Sequence, residues 1–528
     1  MTNSIITKIG LVGLGLTALT GCDPWGNLRV DTYNYMEQGL WDKEVVATSA
    51  GMYVRLPAAG ALVWVTPDGS SRTVDLHGAE TTRLVAAPDG ETLLVFGSYP
   101  TCDTDDADIV TVEDCLNFDP DKLVLESMVY VVKNGDMIAS SPIAAHYNAL
   151  AFTSDGSHAV AYLDFSKAAD IDFNGLLNLT EVVFIDLQSA ATTSVPVGFA
   201  ADRILFSSDD EKAVVLSESK VVVVDLTSTN YDILVQYALS LDVDDEVRPQ
   251  DAELTPDGQH CILTVEGSSD LYVLDLENES INIVDLDGAP AALGVESVGD
   301  KTALVYQYEA QVDLIEHDYF SVESILLDEP SNNIAVGDGF ALLYNVSNSN
   351  YHDVYRLETT NSDLIEYRME NPVESLQIAP DGAHAVAVTR PESASSDPLE
   401  AYADERYGIE VLDLVSDRGS HISLVSNSQP LGVAFSKDSV YALVLLDGLD
   451  DLLKINLTTG NAESLDLVDT PMSLGAFGED GFFITHDSAL GLVSFFDPAT
   501  DTFTSVGGFA TGGLFDDERM LVQNTEED

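Results

Sequence analysis

The chain has 528 residues, and its 90 Asp and Glu against 22 Lys and Arg give a formal net charge of −68. A surface this acidic repels phosphate backbones, which excludes nucleic acid as a partner. Hydrophobic residues make up 45% of the chain, enough for a large core. The carboxylates are spread along the whole length, so they read first as a hydrated, salt-tolerant surface and second as a supply of cation ligands.

At the N-terminus Lys8 precedes an apolar run from Ile9 to Leu19, followed by Thr20, Gly21 and Cys22. The run is too short for a mature membrane-spanning helix and has the layout of a signal peptide. Leu19-Thr20-Gly21-Cys22 resembles the lipobox of bacterial lipoproteins. That resemblance implies a signal peptide over 1–21 and a lipidated Cys22 on the extracytoplasmic side of the cell envelope. Acyl chains there would hold the protein at a membrane, since each buried methylene adds about 0.8 kcal/mol. Asp23 resembles the inner-membrane retention signal of enteric lipoproteins, a rule that does not carry to every lineage, so inner and outer membrane both stay open. Residues 22–43 have no sustained period and read as a tether; 44–528 is the repeat region.

The clearest repeat runs from Pro249 to Leu286 and reads as four short strands, with Ala252–Thr255 entering a Pro256-Asp257-Gly258 turn. His260–Val265 leaves that turn, Leu271–Leu276 returns, and Ile281–Leu286 closes the unit. Pro and Asp initiate such a turn and Gly accepts positive φ. The strands are rich in Val, Ile and Leu with little alternation, as expected when both faces are covered, so neighbouring sheets must stack on this one. Comparable units open near Val45, Leu84, Ala149, Arg203, Pro290, Pro330, Val373, Leu431 and Ser473. The third strand recurs as VVFIDL, VVVVDL, LYVLDL, IEVLDL and LLKINL, where a late Asp or Asn suits the next turn.

Four strands in about forty residues is the signature of a β-propeller blade. The units resemble the PDG-turn, VxVID-strand repeats of YVTN and WD-repeat-like propellers of bacterial envelopes. The expected fold is therefore all-β, a single closed propeller of four-stranded antiparallel blades. About ten repeats are counted, with eight, or two smaller rings, as alternatives. The C-terminal FATGGLFDDERMLVQN is expected to complete the first blade and so remove open sheet edges.

Three long insertions, Gly97–Ser127, Asp164–Thr180 and Arg390–Tyr407, each fall between the second and third strands of a unit. They point to a binding face, because loops on a rigid scaffold carry recognition. Within the second, Asp170, Asp172, Asn174, Gly175, Leu176, Asn178 and Glu181 match the D-x-[DN]-x-[DN]-G-x₅-E calcium pattern. Asp170, Asp172, Asn174 and Glu181 would offer side-chain oxygens, Leu176 its carbonyl, and Asn178 a direct or water-bridged contact. Glu181 leads into a strand instead of a helix, and the loop resembles those of FG-GAP propeller blades. Calcium is thus the expected cofactor, in a structural role. The Asp103–Asp108 run lacks the glycine and is the weaker match.

Cys102 and Cys115 share one acidic insertion and are expected to pair outside the cytoplasm. Cys261, mid-strand, reads as a buried inert thiol. His158, His260 and His384 each stand two residues after the turn glycine of their own repeat, which makes them a repeat feature and not a catalytic cluster. No GxSxG, HExxH, CxxC, Walker or GxGxxG pattern occurs, and no catalytic residue is assigned. The expected function is a lipid-anchored binding or scaffolding module for an envelope protein or glycan. The alternative is a propeller enzyme of the lactonase or sugar/quinone-dependent dehydrogenase kind, with its site in the central channel.

Overall fold

The computed structural model describes residues 45–507 except 57–60, 78, 103–121, 145–146, 165–179, 218, 241–246, 297–299, 349, 393–404, 425–427, 479 and 487–491. Among the described residues there is no α-helix, and every strand belongs to one of ten four-stranded antiparallel sheets. The fold is a β-propeller type of ten blades. In chain order they span Val45–Val74, Glu80–Pro142, Ala149–Pro196, Arg203–Ala238, Pro249–Asp285, Pro290–Leu326, Asn333–Arg368, Val373–Ser423, Pro430–Asp466 and Pro471–Val506, numbered here 1 to 10. The weak repeats at Pro290 and Pro330 form complete blades, so ten replaces the alternative of eight.

Blade 5 illustrates why these residues make these sheets. Its strands are Pro249–Leu254, His260–Val265, Asp270–Asp275 and Ser280–Asp285. Cys261, Ile262 and Leu263 are fully buried in the second strand, whereas the fourth strand is largely exposed. In the entry turn Asp257 Oδ1 accepts hydrogen bonds from Thr255 Oγ1 (2.6 Å) and the Gln259 amide (3.0 Å). The Thr255 hydroxyl oxygen in turn accepts from the His260 amide (3.1 Å), and Gly258 holds φ +65°. The Thr255 hydroxyl, the Asp257 carboxylate and the Gln259 and His260 amides thus find their partners within the turn. The third-strand Asp works in the same way at the next turn: Asp225 Oδ1 accepts from the Thr227 amide (2.8 Å), and Asp413 Oδ1 from the Val415 and Ser416 amides (3.0 and 2.9 Å).

Blades 4 and 9 replace the turn glycine with Asp210 (φ +55°) and Ser439 (φ +57°), a conformation that costs a non-glycine residue about 1–2 kcal/mol. Each side chain reaches the entry turn of the preceding blade. Asp210 Oδ1 accepts from the Ser154 amide (2.9 Å), and Oδ2 from Ser154 Oγ (2.7 Å) and the Asp155 amide (3.0 Å). Ser439 Oγ accepts from the Asp381 amide (2.9 Å). Asp210→Ala keeps the unfavourable backbone and loses all three bonds, so it is expected to lower the unfolding free energy by about 2 kcal/mol. Asp210→Gly relieves the backbone and should lose about half that, as read from urea titrations; equal losses would show the conformation to be unstrained.

The chain divides into two compact units, one containing blades 1, 2 and 10 and the other blades 3 to 9. In the first unit, Met52, Val54 and Val63 of blade 1 pack against Val493 and Phe495 of blade 10. Tyr53 and Leu62 of blade 1 pack against Leu93, Val95 and Tyr130 of blade 2, where the Gly135 amide donates to Tyr53 Oη (2.8 Å). The first and last blades therefore meet face to face. Blade 1 draws all four strands from Val45–Val74 and blade 10 from Pro471–Val506, so the expected sharing of a sheet between the chain ends is corrected: blade 1 already has its four strands without the C-terminal segment. Residues 508–528 lie outside the described residues.

In the second unit, Val160, Val182 and Phe184 of blade 3 share a core with Ala213, Val215 and Val222 of blade 4. The first strands of blades 3 to 8 lie side by side, which makes the first strand the inner one and the fourth the outer one.

Candidate functional site

Antiparallel order 1-2-3-4 places the loop between strands 2 and 3 at the same sheet edge as the link to the next blade. All three insertions do fall between strands 2 and 3 of their blades. The first is shorter than expected: Thr92–Cys102 and Leu123–Lys133 form one continuous ladder, so Gly97–Cys102 and Leu123–Ser127 are strand and only the tip lies beyond them. A run with Tyr99, Val124 and Val129 has enough β-propensity to extend the hairpin. Cys102 is disulfide-bonded and sits at the ladder's end, opposite Leu123; Cys115 lies outside the described residues. Cys261 is fully buried, and burial pushes its thiol up to about 12.

Of the expected calcium ligands, Asp170, Asp172, Asn174, Leu176 and Asn178 lie outside the described residues, as does the Asp103–Asp108 run; Cys22 does too. Glu181 is described and begins the third strand of blade 3, where its Oε1 accepts from the Tyr147 hydroxyl (3.0 Å). Burial, followed by this carboxylate, pushes the Tyr147 phenol well above its usual range. The root of the insertion is fastened: the Asp164 amide donates to Asn148 Oδ1 (2.7 Å) and Asn148 Nδ2 donates to the Asp164 carbonyl (2.8 Å). Among the described residues no group of three His, Cys, Asp or Glu side chains is arranged to hold a metal.

The root of the third insertion is tied to the neighbouring blade 7. Arg390 Nη1 donates to the Val346 carbonyl (2.7 Å), and His352 Nε2 lies 3.3 Å from Glu392 Oε2. On the blade 8 side, His421 Nδ1 pairs with Glu410 Oε1 at 2.7 Å across the third and fourth strands, and that hydrogen bond raises the His421 pKa. Glu410 also accepts from the Glu370 amide (3.1 Å). Sequence reasoning missed this pair. Its signal was a Glu among the apolar residues that precede the turn Asp in strand IEVLDL, with a His at the cross-strand position.

A cavity of about 390 Å³ opens at the same edge between blades 5 and 6, lined in part by Gln250, Pro290, Tyr306, Tyr308 and Glu309. Tyr308 is 88% exposed, at the loop between the second and third strands of blade 6.

The inner strands of blades 4 to 6 carry a second polar group. Arg203 Nη1 lies 2.7 Å from Asp251 Oδ1, and Glu253 Oε2 accepts from the Val295 amide of blade 6 (2.8 Å). Burial pushes the Glu253 carboxyl up to about 7; the Val295 amide and Arg203 oppose the rise, and Asp251 adds to it. No histidine lies on the first strands of blades 3 to 9.

The three repeat histidines do not come together. His158 Nδ1 pairs with Ser157 Oγ (2.7 Å), its ring edge-on to Tyr231 of the next blade. His260 packs edge-on to Phe320, again of the next blade, and His384 Nδ1 lies 3.3 Å from Asp381 in its own turn. They stand at separate turns between first and second strands, at the sheet edge away from the insertions.

The ten four-stranded sheets decide the fold. It is a β-propeller. No family model matches the chain, and no curated protein matches it. Among solved structures it is similar to the dihydro-heme d1 dehydrogenase NirN in complex with DHE, at 14% identity and a TM-score of 0.42, covering 64% of this chain and 71% of that one. It is also similar to Kuenenia stuttgartiensis hydrazine synthase, at 12% identity and a TM-score of 0.34, covering 58% of this chain and 94% of that one. A third likeness is to the β-propeller domain of Myceliophteria thermophila Cps50 (Swd1), at 10% identity and a TM-score of 0.34, covering 69% of this chain and 96% of that one.

Proposed function

We propose that this protein is a lipid-anchored, extracytoplasmic binding or scaffolding module. Cys22 carries the anchor, and the loops between second and third strands form the recognition face for an envelope protein or glycan. The observation that supports this is that each of the three long insertions leaves its own blade between the second and third strands, on roots fastened by Asn148–Asp164, Arg390–Val346 and the long ladder ending at Cys102. Fastened roots let a long loop present a defined surface. Asp170, Asp172, Asn174, Leu176, Asn178 and Glu181 would hold calcium and stiffen the second loop, with Glu181 releasing Tyr147 as it turns to the ion. A Cys102–Cys115 bridge would close the first.

The test is affinity capture from envelope extracts with the whole chain and with variants shortened at 165–179 or 393–404, each with and without chelator. Shortening either loop should lower recovery of the same partner at least tenfold while circular dichroism stays unchanged. Undiminished recovery with both loops shortened would overturn the reading. A raised melting temperature with calcium, lost in Asp172→Ala, checks the ion separately.

An enzyme is the second reading, favoured by one observation: Glu253, with a carboxyl near neutrality beside Asp251 and Arg203, has the poise of a general acid or base.

A further inference from the structure

The cavity between blades 5 and 6 combines features that neither its loop nor its blades need for their own stability. Tyr308 stands 88% exposed at its rim, a large aromatic ring left in water at the tip of a four-residue connection. Beside it the Glu309 carboxylate lies over Gly288: a Cβ at that glycine would come within 2.8 and 2.9 Å of the two carboxylate oxygens, so a larger residue there would shift the Glu309 side chain. Below, the buried Tyr306 donates its hydroxyl to Asp313, whose other oxygen accepts from Gln311 Nε2 (2.8 Å). Asp313 is thereby satisfied. Among the described residues, neither Glu309 nor Asp287, both within electrostatic reach of the Tyr306 hydroxyl, takes part in an ion pair. Gln250 Nε2 donates to the Ala291 carbonyl (3.0 Å) and closes the far wall.

The volume, about 390 Å³, lies in the range of small-ligand pockets. An anion would be repelled by Glu309 and Asp287, and a neutral apolar group would gain nothing from the carboxylate. A compact cation satisfies both the carboxylate and the face of an adjacent aromatic ring. We infer that this cavity binds an organic ammonium group, presented either by a free amine or by a lysine side chain. The inference rests on the reading of this edge as the recognition face and names the chemistry one part of that face selects.

The experiment is titration calorimetry of the whole chain with three probes: N-acetyl-lysine methylamide, its Nε-acetyl derivative, and cadaverine. The two ammonium probes should bind and the acetylated one should bind at least tenfold more weakly. Glu309→Gln and Tyr308→Ala should each weaken the ammonium probes at least tenfold, and Glu277→Gln, an exposed acid on a different turn of blade 5, should leave them unchanged. Tyr308 and Glu309 are exposed, so both variants are expected to melt with the parent protein, which keeps folding out of the comparison. Preference for the lysine derivative over cadaverine would assign a protein ligand, and equal or reversed preference a free amine; both support the inference. Equal binding of the acetylated probe, or affinity unaltered by Glu309→Gln and Tyr308→Ala, would overturn it and assign cation binding to the acidic surface at large. Shortening 165–179 or 393–404 leaves these residues in place, so loss of partner capture and loss of amine binding are separate results.

Discussion

Phe184→Ala is expected to lower the unfolding free energy of the unit containing blades 3 to 9 by about 3–5 kcal/mol. Phe184 is fully buried in the third strand of blade 3, in a core formed jointly with blade 4. Its ring lies against Tyr231 of blade 4 with centroids 4.3 Å apart and planes 11° from parallel. Tyr231 holds φ +52° in its turn and also meets His158 edge-on. Truncation therefore removes the transfer free energy of one large ring and leaves a cavity whose other wall is held by a constrained backbone, which limits relaxation. Urea titration followed by circular dichroism measures the effect. A loss below about 1 kcal/mol would mean that the two blades do not pack on each other through this ring.

Glu253→Gln is expected to stabilise the protein by about 2 kcal/mol at pH 8 and to change little near pH 4.5. The carboxyl titrates at about 7 in the fold against 4.5 for the free side chain, and burial is the largest cause. Between those values the folded chain holds a proton that the unfolded chain has released. The stabilisation from the neutral form is complete below about 4.5 and is lost as the pH rises through about 7. A glutamine stays neutral throughout and still offers an oxygen to the Val295 amide, which donates to Glu253 over 2.8 Å in the parent. Thermal melts of both proteins from pH 4.5 to 8.5 should diverge progressively on the alkaline side. Parallel curves would show that Glu253 is hydrated and titrates normally.

The architecture could be read from the chain because its determinants are local. The Asp and Gly of each entry turn, and the apolar runs on either side, set strand positions to within a few residues in blade 5: His260–Val265 was placed as observed, and the third strand shifted by one residue. The turns between third and fourth strands were less legible. There the positive-φ position is filled by residues as different as Tyr231, Glu279 and Phe320, and by glycine in blades 1, 2 and 9, so no single residue type marks it. The extension of blade 2 to Cys102 and Leu123 was missed because the acidic tip hid two good strand segments inside one insertion. Glu253 could not be singled out among so many acids. Its character comes from burial and from the amide of Val295, forty-two residues away, and neither is a property of neighbouring sequence. The His421–Glu410 pair depends on strand register in the same way.

The continuity of each blade, with no described sheet borrowing a strand from a distant segment, has a consequence for biogenesis. In every blade the ladders connect strands adjacent in sequence, so loop closure costs little and pairing can proceed as soon as one blade's worth of chain is available. A polypeptide built this way can acquire order progressively during its synthesis, one segment behind another, without waiting for its final residues. Its exposure to aggregation during synthesis would then be set by the time between emergence of one blade and the next, not by the length of the whole chain.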